Sequence, residues 1–218
     1  MSWQVSKRSC RWCGALFVRP PDWPWICPTP ECLARCKAFG IDLGGRWFYL
    51  PLPLGAEMMA AHAPITPEQD QITHVLMGGA AGASKSTSSR FGAYWWAMHV
   101  PRCRILLLRE VSDELVRSHI LGLMDWEAEA LGATFRASPH PLARWPNGSF
   151  IEGGHMEDAE AVKRYLSSEY DLIIAEEASL YDPDALLELT TRARTTNADM
   201  RRLGGARGEL QQRVGVVE

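Results

Sequence analysis

The sequence predicts an α/β protein in which helices flank a mainly parallel sheet, with a small cysteine-rich module ahead of it. Strand-like and helix-like segments alternate along the chain from about residue 66, which is the pattern of a layered α/β fold. The run Asp171-Leu-Ile-Ile-Ala is short and continuously apolar, as in a strand buried on both faces of a parallel sheet. Five of the six cysteines lie within residues 10–36. We therefore divide the chain into a cysteine-rich module at 1–45, a linker rich in Pro, Gly and Ala at 46–65, and an α/β domain at 66–218.

Hydrophobic periodicity and turn residues place the elements of the third part. In chain order we predict strands at 72–77, 103–108 and 171–175 and helices at about 86–99, 112–131 and 156–167, with a last helix from Asp182 or Asp184. A further extended segment at 135–137 precedes the pair Asn147-Gly148, which stands between apolar residues. That pair is a strong signal for a β-hairpin, because both residue types tolerate the positive φ of a tight turn.

Length, charge and apolar content limit the class of protein. The chain has 218 residues, 46% of them apolar, which suffices for one α/β domain and a small appendage. The net charge of -3 neither favours nor excludes a nucleic-acid partner. Apolar runs fall well short of the roughly 20 residues of a membrane span, and the first residues do not form the apolar core of a signal peptide. These features predict an intracellular protein without a membrane partner.

Cysteine spacing predicts a structural zinc site, of the zinc-knuckle kind, in the N-terminal module. The candidate ligands are Cys10, Cys13, Cys27 and Cys32, with Cys36 as an alternative to Cys32. Thiolates in a C-x₂-C and C-x₄-C arrangement suit tetrahedral Zn²⁺, and a segment this rich in proline and short of aliphatic residues would struggle to fold without metal. Because no export signal precedes them, metal binding is favoured over disulfides. The alternative interpretation is a set of reduced, unliganded cysteines.

A small-residue loop between the strand at 72–77 and the helix at 86–99 has the features of a phosphate-binding loop. Its candidate residues are Gly79, Ala80, Ala81, Gly82, Ala83, Ser84, Lys85, Ser86 and Thr87. Small side chains let backbone N–H groups converge on phosphate oxygens, the lysine reaches the β- and γ-phosphates, and the next hydroxyl reaches Mg²⁺. A helix start adds donors and a favourable dipole. Ser84 stands where the usual pattern has glycine, and the alternative interpretation is an ordinary Gly/Ala turn with a solvent-exposed lysine.

Two adjacent carboxylates, Glu176 and Glu177, close the apolar strand at 171–175. In a nucleotide hydrolase of this architecture, the first acid helps to hold Mg²⁺ and the second orients or deprotonates the attacking water. Taken alone, such a pair is equally typical of solvated glutamates at the start of a loop. Combined with a lysine loop about ninety residues upstream, it predicts a nucleotide hydrolase.

Five segments between residues 66 and 195 together carry a family resemblance. They are Gly79-Ala-Ala-Gly-Ala-Ser-Lys-Ser-Thr, Leu107-Leu-Arg-Glu, Trp145-Pro-Asn-Gly-Ser-Phe-Ile-Glu-Gly-Gly, Lys163-Arg-Tyr-Leu-Ser-Ser-Glu-Tyr-Asp-Leu-Ile-Ile-Ala-Glu-Glu-Ala and Thr190-Thr-Arg-Ala-Arg. In this order they resemble the ATPase domain of the large subunit of bacteriophage terminases, the motors that package DNA. That family tolerates serine before the lysine of the loop, and Glu176 stands where many of its members have aspartate.

The resemblance implies a P-loop NTPase fold of the ASCE type that hydrolyses ATP with Mg²⁺ in order to move double-stranded DNA into a capsid. It also implies a portal protein and a terminase small subunit as partners, a homo-oligomer assembled on the portal, and the cytoplasm of the host cell as the location. A structural Zn²⁺ in the N-terminal module is not a constant part of the family, so its role cannot be carried over.

The resemblance further implies roles for individual residues. Lys85 and Ser86 would bind phosphate and Mg²⁺, Glu176 would bind Mg²⁺, and Glu177 would activate water. Gln69 or Gln71 lies where the family often has a glutamine near the adenine. Arg109 is either a catalytic residue that senses the γ-phosphate or a strand-end arginine in an ordinary ion pair.

Family members usually continue into a nuclease domain, whereas this sequence ends with Val214-Gly-Val-Val-Glu, which is typical of the start of a further core strand. We therefore expect a fragment or a natural truncation without the family's coupling motif and without nuclease activity. Two other classes stay open. One is another phage P-loop ATPase, such as a helicase-like enzyme, and the other is a non-catalytic zinc-dependent DNA-binding or assembly protein.

Overall fold

Two short antiparallel strand pairs precede the main sheet in the computed structural model, which describes residues 7–9, 16–18, 34, 36–51, 55–56, 59, 85–158, 160–194 and 196–200. Strand β1 (Lys7–Ser9) pairs with β2 (Leu16–Val18), and β3 (Ile41–Leu43) pairs with β4 (Arg46–Tyr49). Gly44 and Gly45 connect β3 to β4 with φ values of 65° and 87°. Two successive positive φ values are what a two-residue hairpin turn of type I′ requires, and glycine adopts them without strain.

A five-stranded sheet and its helices form the main part of the described chain. In order, its elements are α1 (Lys85–His99), β5 (Arg104–Arg109), α2 (Ser112–Leu115), a π-helical segment (Val116–Met124), α3 (Asp125–Ala130), β6 (Thr134–Arg136), β7 (Leu142–Arg144), β8 (Phe150–His155), β9 (Leu172–Ala175) and α4 (Pro183–Thr190). Short 3₁₀ turns lie at Ala161–Arg164 and Ala178–Leu180. The strand order is β6-β7-β8-β5-β9.

The sheet is mixed. Strand β5 runs parallel to β8 and β9, whereas β6 pairs with β7, and β7 with β8, in antiparallel fashion. The predicted α/β class with flanking helices is confirmed. The prediction of a mainly parallel sheet is not matched in the described residues, because the Asn147-Gly148 turn folds β8 back along β7. The predicted strand at 72–77 lies outside the described residues.

Strand β5 is buried on both faces and divides the core in two. Its four central residues, Ile105, Leu106, Leu107 and Leu108, are all fully buried. Alternate residues belong to different clusters: one is formed with α1 and the helical segment after β5, and the other with α4 and the 3₁₀ turn after β8. Burying an aliphatic side chain of this size stabilises the fold by about 1.5–3 kcal/mol. Because β5 is packed on both faces, its position is fixed, and the neighbouring strands β8 and β9 are positioned by their pairing with it.

Helix α1 is buried on almost every side. Ten consecutive residues from Ser88 to Ala97 are buried, as expected for a helix enclosed within a core rather than lying on its surface. The β4 residue Tyr49 stacks on Phe91 of the helix with ring centroids 4.0 Å apart, and Phe39 lies 5.9 Å from Trp95. Helix α1 therefore packs against the β3–β4 hairpin and the segment before it, and it shares a buried cluster with strands of the sheet.

A buried ion pair joins α1 to α3. Arg90 donates to the two carboxylate oxygens of Glu127 at 2.6 and 3.1 Å, and the Tyr94 hydroxyl donates to the same carboxylate at 3.0 Å. The side chains of Arg90 and Glu127 are only 5% and 6% exposed. Burial alone would lower the pKa of the Arg90 guanidinium, but its hydrogen bonds and charge interaction with Glu127 raise that pKa. Arg90 therefore keeps its charge, and its paired hydrogen bonds to Glu127 anchor α1 one turn after Ser86.

The predicted hairpin is confirmed, and its polar residues tie the sheet to α1. Gly148 adopts φ 86° in the turn between β7 and β8. The Asn147 side-chain amide donates to the carbonyls of Ala97 and Met98 at the end of α1, at 2.8 and 3.3 Å. Ser149 is fully buried, and its hydroxyl donates to the Val100 carbonyl at 2.6 Å. The Asn-Gly-Ser segment thus supplies partners for backbone groups that a helix end leaves unpaired.

Replacing this buried serine is expected to destabilise the fold. Ser149→Ala removes the donor to Val100 and also the acceptor of the Cys103 N–H at 3.1 Å, so we expect a loss of about 1–3 kcal/mol in the free energy of unfolding. Chemical denaturation measures it. The matched control is the exposed Ser167, whose alanine variant should stay within about 0.5 kcal/mol of the parent. Equal stabilities for the two variants would contradict this account of the hairpin.

The helix predictions have different outcomes. The helix at 86–99 is confirmed as α1, and α4 begins after Asp182, whose carboxylate accepts from the Ala185 N–H at 2.9 Å as an N-cap. The helix at 112–131 is helical but π-helical in its middle. The helix at 156–167 is wrong, because only Ala161–Arg164 form a 3₁₀ turn.

The physical reason for that error is a tertiary contact. The Tyr165 hydroxyl donates to the carbonyl of His155 and accepts from its N–H, both at 3.0 Å. A regular helix rises about 1.5 Å per residue, so it would carry Tyr165 away from the end of β8.

No helix in the described part of the chain is long and apolar enough to cross a membrane.

Candidate functional site

The parallel strands β5, β8 and β9 end together at one edge of the sheet. Arg109 at the end of β5 is in register with His155 of β8, and Leu108 is in register with Ala175 of β9. Glu176 follows at once, and its N–H still donates to the Leu108 carbonyl at 3.0 Å. Ligands of open α/β sheets bind outside the carboxyl ends of the strands. This carboxyl edge is therefore the candidate functional site.

The first turn of α1 lies at the same edge. Lys85, Ser86 and Thr87 form this turn and are half-buried. Ser86 is close enough to the Glu176 carboxylate to help lower its pKa. Two segments that are about ninety residues apart in the sequence thus meet: the helix start that carries the lysine, and the strand end that carries the acids.

Glu176 is buried, with a side chain 8% exposed. Its Oε2 accepts a hydrogen bond from His119 Nε2 at 2.7 Å and lies 3.3 Å from Arg109 Nε. Burial by itself raises the pKa of the Glu176 carboxyl, but His119, Ser86 and Arg109 together lower it below its ordinary value. The group is therefore ionised at neutral pH. Its second oxygen, Oε1, is buried and has no hydrogen-bond partner among the described residues.

Glu177 differs from its neighbour in both backbone and exposure. Its φ of 55° and ψ of 46° lie in the left-handed region, which costs a non-glycine residue about 1–3 kcal/mol and is concentrated at functional sites. Its side chain is 53% exposed, and its Oε1 lies 3.9 Å from Arg109 Nη1. One acid of the pair is thus buried and held, while the other is exposed beside it.

Arg109 lies among three carboxylates. Its guanidinium is 3.3 Å from Glu176, 3.4 Å from Glu114 and 3.9 Å from Glu177. Ion pairs were one of the two interpretations of this residue, and they are present. Because one guanidinium faces three carboxylates, the edge stays acidic and favours a cation.

Two residues of this edge were missed by sequence reasoning. His119 is fully buried in the π-helical segment against Glu176. Tyr181 is 5% exposed, and its hydroxyl has no hydrogen-bond partner among the described residues. Burial raises the pKa of that hydroxyl, so it remains a protonated donor. One sequence signal could have indicated His119. It lies four residues after Leu115, on the apolar side of a predicted helix, and a polar group buried there needs a hydrogen-bond partner.

Several predicted site residues lie outside the described part of the chain. They are Gly79, Ala80, Ala81, Gly82, Ala83 and Ser84 of the loop, Gln69 and Gln71, and the cysteines Cys10, Cys13, Cys27 and Cys32. Cys36 is described, and it is buried in the same cluster as α1. Within the described residues, no group of three or more His, Cys, Asp or Glu side chains is arranged to hold a metal ion.

The oxygen atoms at the carboxyl edge nevertheless suit Mg²⁺ bound together with a phosphate group. Mg²⁺ usually takes one or two carboxylates or hydroxyls from the protein, and phosphates and water supply its other ligands. Ser86 and the unpartnered Oε1 of Glu176 are donors of this kind. A complete cage of protein ligands is not required for such an ion.

Comparison of the chain with protein-family models, with curated proteins and with solved structures found no match.

Proposed function

We propose that this protein is a Mg²⁺-dependent ATP hydrolase with a P-loop fold, and that its active site is the carboxyl edge of β5 and β9 with the first turn of α1. The observation that supports this most directly is the meeting of Ser86 with Glu176. A phosphate loop and a metal-binding acid can act on one nucleotide only if they lie together. Their residues are distant in sequence, so an ordinary Gly/Ala turn gives no reason for this proximity.

The binding roles follow from charge and position. Lys85 supplies the cation for the β- and γ-phosphates, and the start of the 15-residue helix α1 adds N–H donors and the positive end of a helix dipole. Ser86 and Glu176 hold the metal side of the nucleotide. When bound, Mg²⁺ neutralises charge that develops on the phosphate oxygens.

The hydrolytic role belongs to Glu177. Its exposed carboxylate is accessible to water, which it can orient and from which it can accept a proton, whereas Glu176 is held by a hydrogen bond from His119 and an ion pair with Arg109. Arg109 forms ion pairs with both acids and allows the two carboxylates to lie side by side, because its charge compensates part of their repulsion. Two carboxylates in different surroundings can thus perform two different tasks.

The wider role rests on the sequence resemblance to terminase large subunits. We propose that ATP hydrolysis drives packaging of double-stranded DNA, with a portal protein and a small subunit as partners and several copies of the chain on the portal. Zn²⁺ bound by the N-terminal cysteines belongs to the same proposal. Turnover measured with and without linear double-stranded DNA tests the motor role, and DNA that leaves the rate unchanged would speak against it.

The proposed hydrolase is tested with the lysine of the loop and with the metal. We expect Lys85→Ala to reduce ATP turnover at least about 100-fold, because a charged donor to the transferred phosphate is lost. Removal of Mg²⁺ with a chelator should abolish turnover of the parent and its restoration should recover it. The matched control is Lys163→Ala, since Lys163 is an exposed lysine paired with Glu160.

Two results would overturn the proposal. One is a parent chain that neither binds nor hydrolyses ATP with Mg²⁺ present. The other is a Lys85→Ala variant that matches the Lys163→Ala variant in both affinity and turnover.

A further inference from the structure

We propose that His119 is the positioning residue of this site: it holds one oxygen of Glu176, so that the other oxygen is presented to the metal–nucleotide ligand. This inference rests on the proposed hydrolase function of the same edge. It assigns a role to a residue that no nucleotide-binding motif contains.

The two oxygens of the Glu176 carboxylate have different surroundings. Oε2 accepts a hydrogen bond from His119 Nε2 at 2.7 Å and forms an ion pair with the Arg109 guanidinium, whose Nε lies 3.3 Å away. Oε1 is buried without a hydrogen-bond partner among the described residues. A buried, ionised oxygen left unpaired costs free energy unless a ligand compensates it. The contacts to Oε2 therefore determine which oxygen is available to a ligand.

The surroundings of the His119 ring favour one of its two neutral tautomers. The ring is fully buried, and its Nδ1 has no hydrogen-bond partner among the described residues. An unpaired Nδ1–H inside a core would be more costly than an unpaired nitrogen lone pair, and a carboxylate accepts only from an N–H. The favoured form carries its proton on Nε2 and donates it to Glu176. In this form His119 orients the carboxylate as a hydrogen-bond donor.

The His119 ring is carried by an unusual stretch of helix. His119 lies in the π-helical segment Val116–Met124, between α2 and α3. Hydrogen bonds from residue i to i+5 widen a helix, and such turns occur often at functional sites. The two preceding residues are less buried: Arg117 has a side chain 78% exposed, and Ser118 is half-buried. The widened turn thus brings one polar side chain of this helix into the core at the end of β9.

The consequence concerns metal affinity. Groups that orient a metal ligand without touching the metal typically contribute 10- to 100-fold in metal affinity or activity. We therefore expect loss of the His119 donor to weaken the Mg²⁺ dependence of nucleotide binding, while binding of the nucleotide in the absence of Mg²⁺ changes little.

The experiment compares three substitutions in the full chain. Fluorescent ATP is titrated at increasing Mg²⁺, and the Mg²⁺ concentration for half-maximal binding is determined. Glutamine places an N–H donor near the position of Nε2, so His119→Gln should stay near the parent. The asparagine of His119→Asn is polar but too short to reach Glu176. The leucine of His119→Leu is similar in size to histidine but has no hydrogen-bond donor. Both should raise the half-saturating Mg²⁺ concentration at least about 10-fold.

A control separates this effect from general damage to the edge. His155 ends β8 at the same edge and contacts Arg164 rather than the acids, so His155→Gln should leave the Mg²⁺ dependence unchanged. Because His119→Leu could fail to fold, the comparison of His119→Gln with His119→Asn is sufficient by itself. A His119→Asn variant with the parental Mg²⁺ dependence overturns the inference, as does a His119→Gln variant as impaired as His119→Asn. A parent without any Mg²⁺-dependent nucleotide binding overturns the proposed function, and the inference with it.

Discussion

Glu177→Gln is expected to reduce ATP turnover by about 10²–10⁴-fold, the usual contribution of a general base, while nucleotide affinity stays at the parental value. The substitution keeps the size of a side chain that is 53% exposed, but the amide cannot take a proton from water. The left-handed backbone at this position is equally accessible to glutamine, so the geometry of the edge is preserved. Steady-state turnover and equilibrium binding of the nucleotide measure the two effects separately.

A second glutamate provides the control for this prediction. Glu169 pairs with Arg104 at 3.6 Å and has a side chain 44% exposed, but it precedes β9 and lies at the amino end of the strands. Glu169→Gln removes an exposed ion pair, which contributes at most about 1 kcal/mol, and should not affect turnover. If Glu177→Gln hydrolyses ATP as fast as Glu169→Gln, then Glu177 is not the catalytic acid.

Glu127→Leu is expected to lower the free energy of unfolding by about 3–5 kcal/mol, because it leaves a buried guanidinium without its carboxylate. Arg90 makes two hydrogen bonds to Glu127, and Tyr94 makes a third. All three hydrogen bonds lose their acceptor in the variant, in a part of the core with little access to water. Chemical denaturation of the purified chain measures the change. Because Arg90 lies one turn after Ser86 in α1, we also expect weaker nucleotide binding in the variant.

The same substitution on the exposed side of α3 is the control. Glu129 is exposed, so Glu129→Leu should change the stability by no more than about 0.5 kcal/mol. Adding Arg90→Met to Glu127→Leu should recover a large part of the loss, since replacing both partners of a buried pair with apolar residues is often neutral. A double variant as unstable as Glu127→Leu alone would show that the loss comes from packing rather than from the unpaired charge.

Local sequence patterns were sufficient to predict the elements whose turn residues and hydrogen-bonding partners are close together in the chain. Short apolar runs, helical periodicity and flanking turn residues predicted β5, β9 and α1, and Asn147-Gly148 predicted the hairpin, because each of these signals is complete within a short segment. The segment at 156–167 has equally good helical composition, yet its Tyr165 hydroxyl bonds to the backbone of His155. That contact, together with burial of Ala161 and Val162, outweighs helix propensity, which is weak compared with tertiary packing.

The residues of the candidate site likewise divide into those that local motifs predicted and those that depend on distant partners. The lysine loop and the acid pair were predicted as separate motifs by their residue types. Neither His119 nor the Arg90–Glu127 pair belongs to a motif, because each depends on a partner 57 or 37 positions away. A sequence pattern can indicate that a buried polar residue needs a partner, but it does not indicate which one.

The sequence by itself determined the α/β class, the order of most elements, and the chemical identity of the residues proposed to bind phosphate and activate water. Only the tertiary structure decided that the sheet is mixed, that Glu176 is buried and Glu177 exposed, and that His119 and Arg109 hold the same carboxylate oxygen. The physical reason is the separation along the chain over which each kind of interaction acts. Propensity, periodicity and turn chemistry act between close neighbours in the chain, whereas desolvation and hydrogen bonding of a buried charge depend on every element packed around it.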